Sequence, residues 1–290
     1  MVTLTAWVES WIARRTIRLK PSTLSGYRGN LRRYIAPSPV GALPIGEVTP
    51  EDIVIILSPI VAKGFSRQAQ LVQILLGAAL KDACRQRIIP NNPVDFVDKI
   101  QHKAQMAAWL TNEQAVRFLR ANRNEPYYIA WLLGICCGLR RGEIIGLRWD
   151  DVDFAAGVLH VRRQRMRIDG QLIETKPKSL SSIRDLPMAA PVADMLRKNR
   201  GIGYVVGGTP ERLRDALQAA TDRAGVPRIT IHGLRHTMAA TAASGGVAIK
   251  VLQELLGHAQ YTTTADIYAH VDRCAVNAAA GIMATRLEIA

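Results

Sequence analysis

The strongest constraint on the fold is the helical repeat of apolar side chains through the first hundred residues. In "LTAWVESWIARR" Leu4, Trp7, Val8, Trp11 and Ile12 follow the i, i+3, i+4, i+7 spacing, which lines one face of an α-helix and scatters over both faces of a strand. So many large side chains on one face demand a partner surface, so this helix packs against others. "KPSTLSGYRGNLRRYI" opens with Pro21 and Ser22 and sets Leu24, Tyr27, Leu31 and Tyr34 on a second stripe. "VTPEDIVIILSPI" begins with Thr49 as an N-cap, and "SRQAQLVQILLGAALKDACRQRII" predicts a long helix that stops at Pro90. These segments predict a four-helix unit over residues 1–100, with Arg28, Arg32, Arg33, Arg67 and Lys81 on its polar faces.

The character then changes. "PNNPVDFVDKIQHKAQMAAW" carries two prolines, two asparagines and a polar stretch, which places a domain boundary within residues 95–108, with 101–108 as the linker and 109–290 as a second domain. Helices resume at Thr111. A β segment follows, "VLHVRRQRMRI", with Asp169–Gly170 before "QLIET"; Asp-Gly between alternating runs marks a hairpin. "SSIRDLPM" reads as a third short strand, and the remainder as helix broken at Gly245–Gly246, Gly257 and Thr262–Thr264. The fold class expected is mainly α with a small antiparallel β-sheet, in two domains.

Charge narrows the partner. The net value is +14, with +6 on residues 1–100 and +8 on the rest. A positive balance spread over both halves suits a protein that wraps an anionic polymer, and differs from a basic tail. Arginine outnumbers lysine 29 to 9, which favours forked contacts to phosphate, although codon bias in a GC-rich genome yields the same ratio. Cys84, Cys136, Cys137 and Cys274 include no C-x-x-C pair, so we read reduced thiols in a cytoplasmic protein rather than a disulfide framework or zinc site. No apolar run reaches 18 residues and the N-terminus lacks a basic region followed by an apolar one; neither a membrane span nor a secretory signal is expected.

Four polar signals lie at element edges. "CGLRRGEIIGLRW" puts Arg140 at a helix entrance, where it can meet a phosphate beside backbone N–H groups, with Glu143 one turn on. "TKPKSLSSIRDLP" puts Lys176 and Lys178 in a loop between strands. "ITIHGLRHTMAATAAS" sets His232 and Arg235 three residues apart, on one helix face. "LLGHAQYTTTADIYAHV" holds His258 after a glycine break and Tyr268 on a short helix. Each has an ordinary alternative: a surface arginine, a solvated lysine, a core tyrosine, a structural histidine. With 6 His and 29 Arg in 290 residues, a His-x-x-Arg arises by chance about half a time per chain. None decides alone.

Their order does. Gly-Leu-Arg-x-Gly-Glu, a hairpin lysine, His-x-Leu-Arg-His, Leu-Gly-His and Asp-x-Tyr-x-His together resemble the tyrosine recombinases, the phage integrase family. The resemblance covers nearly the whole chain, since the N-terminal helices look like the family's core-binding domain. It implies that Arg140 and Arg235 are the two catalytic arginines and that Glu143 supports the first. It implies that His232 and His258 are the two active-site histidines, that Lys178 is the hairpin lysine and that Tyr268 is the nucleophile. The phasing of the lysine is open between Lys178 and Lys176.

These residue types fit the chemistry. A phosphodiester repels nucleophiles, and attack loads charge onto its non-bridging oxygens, which two arginines can clamp in the transition state. A phenol with a pKa near 10 is a weak nucleophile at neutral pH, and His232 is the base that the resemblance implies. A lysine such as Lys178 would protonate the leaving 5′-oxygen, and His258 would hydrogen-bond a phosphate oxygen. The 3′-phosphotyrosine stores the bond energy for rejoining, so no cofactor and no metal is expected, and no "GK[ST]" occurs. The implied partners are double-stranded DNA attachment sites and three further copies of the chain. They form a homotetramer on synapsed DNA, assembled from protomers that are monomeric in free solution and cut in pairs through a Holliday junction. Whether a directionality factor takes part is left open.

Two subclasses remain. The core-binding helices begin near Leu4, so an arm-binding domain is expected to be absent unless the chain is trimmed. The long hairpin looks more like the phage or mobile-element type than a chromosome-dimer-resolving recombinase. Rival classes are a DNA-binding regulator that keeps the fold without cleaving, and a metal-dependent nuclease built on Asp150, Asp151 and Asp153. The residues after Tyr268 give a helical stripe of Val271, Ala275, Ala278, Ile282 and Leu287, expected to dock on a neighbouring protomer.

Overall fold

A computed structural model describes residues 1–102, 108–177 and 180–257. Its contacts divide the chain into two units, Met1–Gln105 and Met106–Ala290.

The first unit is built from the stripes read in the sequence. Helix α1 (Leu4–Arg14) is capped by Thr3 and buries Leu4, Trp7, Val8, Trp11 and Ile12. Helix α2 (Pro21–Asn30) runs into a single π-helical turn, Leu31–Ile35. Leu24, Leu31 and Ile35 are buried while Tyr27 and Tyr34 are partly so. Thr49 and Asp52 form a capping box that starts α3 (Pro50–Ala62). Helix α4 (Ser66–Arg85) buries eight side chains, and its Ala79 carbonyl accepts from Trp7 Nε1 at 2.9 Å, satisfying an indole that would otherwise be buried unpaired. It ends at Arg85, before Pro90, because Arg87 turns left-handed at φ 59°. The proline is not what stops it.

In the second unit, α5 (Asn112–Ala121) starts at a Thr111–Gln114 capping box. Helix α6 (Tyr128–Cys136) is apolar all round and runs through the core, with Ala130, Trp131, Leu132, Leu133 and Gly134 buried. Gly134 is glycine for a packing reason. A Cβ there would lie 3.0 Å from the Cβ and Cδ1 of Leu234. Short helix α7 (Arg141–Gly146) leads to strands β1 (Val152–Asp153) and β2 (Val158–Val161). After β3 (Gln164–Ile168), β4 (Gln171–Thr175) and β5 (Arg184–Pro187) come α8 (Ala190–Lys198), α9 (Pro210–Ala224), α10 (Ile231–Ser244) and α11 (Ile249–Leu256).

The β structure differs in detail from the sequence expectation of one sheet. "VLHVRRQRMRI" breaks at Arg162–Arg163 into β2 and β3, which belong to different sheets: an antiparallel β1-β2-β5 triple and an antiparallel β3-β4 pair. Two arginines in succession cannot both turn outward on a two-faced strand, and Arg163 instead reaches back to Asp151 at 3.0 Å. The β3-β4 turn does follow the Asp-Gly signal, with Asp169 at φ 48° and Gly170 at φ 84°. Among the described residues no helix is long and apolar enough to cross a membrane.

Candidate active site

Local sequence explains how each side chain arrives. Thr230 caps α10, its hydroxyl accepting from Gly233 N at 3.1 Å. His232 and Arg235 then share a face. Gly233 between them lets the chain at Ala108 pass close by, since a Cβ would lie 2.5 Å from the Ala108 carbonyl oxygen. Leu110 N donates to Thr237 Oγ1 at 3.0 Å and pins that passing segment. Arg140 is the N-cap of α7, and its backbone N–H donates to Glu143 Oε2 at 2.9 Å.

Arg140 and Arg184 converge on Glu143, and with Arg235 they converge on the end of α11. Arg140 Nη1 donates to Glu143 Oε1 at 2.8 Å and to Ser182 Oγ at 3.3 Å, while its Nη2 donates to the Gly257 carbonyl at 2.8 Å. Arg235 Nη1 donates to the Gly138 carbonyl at 2.6 Å and its Nη2 to that of Leu256. Arg184, first residue of β5, grips Glu143 with both Nη atoms, at 3.2 and 3.1 Å, and donates from Nε to the Leu255 carbonyl at 2.8 Å. The last carbonyls of a helix lack intrahelical partners and lie at its negative end. Here Leu255, Leu256 and Gly257 each receive a different guanidinium. Gly257 adopts φ 61°, and a Cβ on it would meet the Ser181 carbonyl at 2.7 Å, so the turn admits only glycine.

The electrostatics are those of an anion site. Burial pushes the Glu143 carboxyl up, but Arg184 and then Arg140 outweigh it and hold it below its ordinary range, ionised at neutral pH. One carboxylate thus faces two guanidiniums, with the Arg235 charge near enough to feel it. The exposures differ: the Arg140 side chain is 30% exposed, Arg184 7%, and Arg235 only 1% as a residue. Burial, and next the Arg140 charge, press Arg235 downward, and its Nε is buried with no hydrogen-bond partner among the described residues. His232 keeps solvent access, yet partial desolvation at its base, followed by His236, Arg235 and Arg140, pushes its imidazole down to about 4. It is therefore neutral at pH 7 and able to accept a proton. His236 stacks edge-on to it, ring centroids 4.7 Å apart.

Of the residues singled out in the sequence, Arg140, Glu143, His232 and Arg235 come together. Lys178, His258 and Tyr268 lie outside the described residues. Lys176 follows β4, its carbonyl accepting from Gln164 Nε2 at 3.1 Å. Arg184 and Ser182 were not anticipated. For Arg184 a signal existed, since period-two alternation with the buried Leu186 puts it on the core face of "RDLP". The acidic run is occupied otherwise: Asp151, 1% exposed, accepts from Arg148 N and Arg163, and Asp153 accepts from Ala155 N and Ala156 N. Among the described residues no group of His, Cys, Asp and Glu is arranged to hold a metal ion.

Comparison with known proteins gives the family and the fold. Residues 108–274 match the model of the phage integrase family, and residues 4–99 that of the phage integrase central domain. A curated relative, "Tyrosine recombinase XerC-like" of Caldanaerobacter subterraneus subsp. tengcongensis, is 27% identical over 93% of this chain and 80% of its own. The Tn1549 transposon integrase in complex with a circular intermediate DNA superposes with TM-score 0.81 at 22% identity, covering 97% of this chain and 99% of that one. A lambda integrase tetramer bound to a Holliday junction gives TM-score 0.73 at 20% identity, over 92% and 77%. At these identities the two structures establish likeness of fold.

Proposed function

The chain belongs to the phage integrase family and is a tyrosine site-specific recombinase, and we propose that it cleaves and rejoins duplex DNA through a 3′-phosphotyrosine on Tyr268. Arg140 and Arg235 bind the non-bridging oxygens of the scissile phosphate. Tyr268 Oη attacks phosphorus as His232 takes its proton, and the P–O5′ bond breaks with a proton from the hairpin lysine, Lys178 or, with the loop phased two residues earlier, Lys176. His258 donates to a phosphate oxygen. Rejoining runs the same steps backward with a different 5′-hydroxyl, so the phosphodiester count is unchanged and no external energy source is needed.

One observation carries these roles: side chains from α7, β5 and α10 meet at the carbonyl end of α11, one residue before His258. The unpartnered Nε of Arg235 adds support, being a buried donor that an oxyanion would satisfy. His232 is neutral at pH 7 and so has a ring nitrogen free to take the proton, although an imidazole pushed down to about 4 is a weaker base than an ordinary one.

The partner is double-stranded DNA at attachment sites, engaged by four protomers that cut in pairs through a Holliday junction and act in the cytoplasm of a bacterial host. The lambda tetramer supports the stoichiometry by analogy of fold. We assign the chain to phage or mobile-element integration on the length of the segment from Val161 to Met188, which carries the β3-β4 hairpin and the lysine loop. The likeness to a protein named XerC-like supports a second reading, resolution of chromosome dimers. Recombination of an episomal circle into a chromosomal site, against recombination only between two copies of one chromosomal site, separates them.

The test of the mechanism is Tyr268→Phe. It is expected to abolish covalent protein–DNA adducts on denaturing gels while leaving site binding nearly intact, because phosphate contacts supply most of the affinity. An adduct persisting in this variant would sink the assignment and move it to Tyr261. Binding without any adduct from the unaltered protein would favour a non-cleaving regulator.

A further inference from the structure

Arg184 has no part in the chemistry derived above, yet it is tied to the same three segments as Arg140, which does. Its guanidinium joins three segments. It donates to both oxygens of Glu143 on α7, to the Ser182 carbonyl at 3.1 Å at the end of the lysine loop, and to the Leu255 carbonyl on α11. Charge neutralisation does not account for it, because Glu143 already has Arg140 at 2.8 Å. Stability is a weak account too, since an ion pair this buried often contributes no more than apolar residues of the same volume. What the second arginine adds is geometry. With one edge of each Glu143 oxygen held by Arg184, Arg140 is left with a single side-chain contact to the carboxylate and keeps Nη2 on Gly257. Without Arg184 the carboxylate would draw the Arg140 fork onto itself, and the last turn of α11 would lose two of its three donors, Arg184 on Leu255 and Arg140 on Gly257.

We propose that Arg184 is a positioning residue for strand cleavage: it holds Arg140, the loop ending at Ser182 and the carbonyl end of α11 in one register, so that both arginines reach the scissile phosphate together. This rests on the roles given above to Arg140, Arg235 and Tyr268.

The experiment uses the full chain and a nicked duplex bearing a site that the protein selects from a randomised DNA pool, with adduct formation, binding and the pH profile as readouts. Arg184→Met is expected to slow adduct formation on the order of 10²-fold, as for loss of one transition-state contact, while binding changes by less than about threefold because the phosphate contacts away from the scissile one are untouched. The pH profile supplies the readout that a purely structural role would not move. Glu143 is faced by Arg140 on its own helix and Arg184 from β5, with Arg235 and His232 of α10 coupled to it. Removing Arg184 leaves burial opposed by one fewer cation, so the Glu143 carboxyl rises and the acid limb of adduct formation moves to higher pH. Adding Glu143→Gln should erase that shift. Arg184→Lys keeps the charge but not the fork and should recover only part of the rate; it also carries the test if Arg184→Met does not fold, a wild-type rate then overturning the proposal.

A folded Arg184→Met with the wild-type rate would overturn it, and so would parallel losses of rate and binding with an unmoved pH profile. Should Tyr268→Phe still form adducts, the site assignment itself has failed. Should Tyr268→Phe be inactive and Arg184→Met fully active, only the positioning role falls.

Discussion

At the scale of single residues, the proposed site crowds like charges and leaves them incompletely matched. Arg140 and Arg235 donate to neighbouring carbonyls of α11 and repel one another, so an anion placed between them relieves strain that the protein alone retains. Arg140→Ala and Arg235→Ala should each cut adduct formation by about 10²–10³-fold; a wild-type rate in either removes that arginine from the site. His232 gives a pH test. Its folded pKa of about 4 lies below the ordinary 6.5, so between these values the unfolded chain binds more protons. The stability this residue contributes is therefore present above pH 6.5 and lost as the pH falls toward 4. As a base it remains competent over that window, so its acid limb in cleavage should lie well below 6.5, and a His232-dependent limb centred near 6.5 would contradict the assignment. Arg140, Glu143, His232 and Arg235 were legible because each stands in a short ordered motif. Arg184 was less legible: alternation with Leu186 puts it on the core face, but a charged residue at the head of a four-residue strand looks solvated until one sees the carboxylate buried beneath it.

At the scale of elements, the site depends on backbone approaches that glycine permits. Gly142 and Gly146 lie one turn apart on the face of α7 that meets β3, and a Cβ on Gly146 would sit 2.8 Å from Gln164 Cα and 2.9 Å from Arg165 N. These are backbone atoms, so the strand itself would have to move, and with it the hairpin that leads to the lysine loop. Gly146→Val is expected to destabilise the protein by about 1–3 kcal/mol and to slow cleavage more than binding. Gly26, in α2 with no atom near its added Cβ, is the control: Gly26→Ala should be neutral or stabilising by up to about 1 kcal/mol. Equal melting temperatures for Gly146→Val and the unaltered protein would show that the strand can yield. The long helices were readable because their stripes repeat over several turns. The two-residue β1 was not, since so short a strand has no period, and the division of β2 from β3 was hidden because it depends on Arg163 finding Asp151 across the fold.

At the scale of the whole molecule, the charge is carried by both units, which suits two modules that engage one DNA from separate surfaces. Recombination adds a demand that no single protomer meets, because exchange between two duplexes takes four strand cuts and they must be made in pairs. Some contact between protomers has to report assembly to the nucleophile. We place it in the residues after Tyr268, where Val271, Ala275, Ala278, Ile282 and Leu287 repeat at helical spacing; these lie outside the described residues. Proximity in sequence is the reason for the choice: a segment anchored on a neighbour a few residues from Tyr268 constrains where the phenol can reach. On the near side, the chain entering this region is fixed at Gly257 by the arginine group, so a tail held at its far end would be restrained from both directions. Deleting residues 276–290 should therefore leave half-site binding by a monomer near the full-length affinity but weaken synapsis and recombination of paired sites, measured by native gels and by product formation. Full-length recombination rates from the truncated protein would mean that the tail packs on its own domain, and that protomers communicate elsewhere.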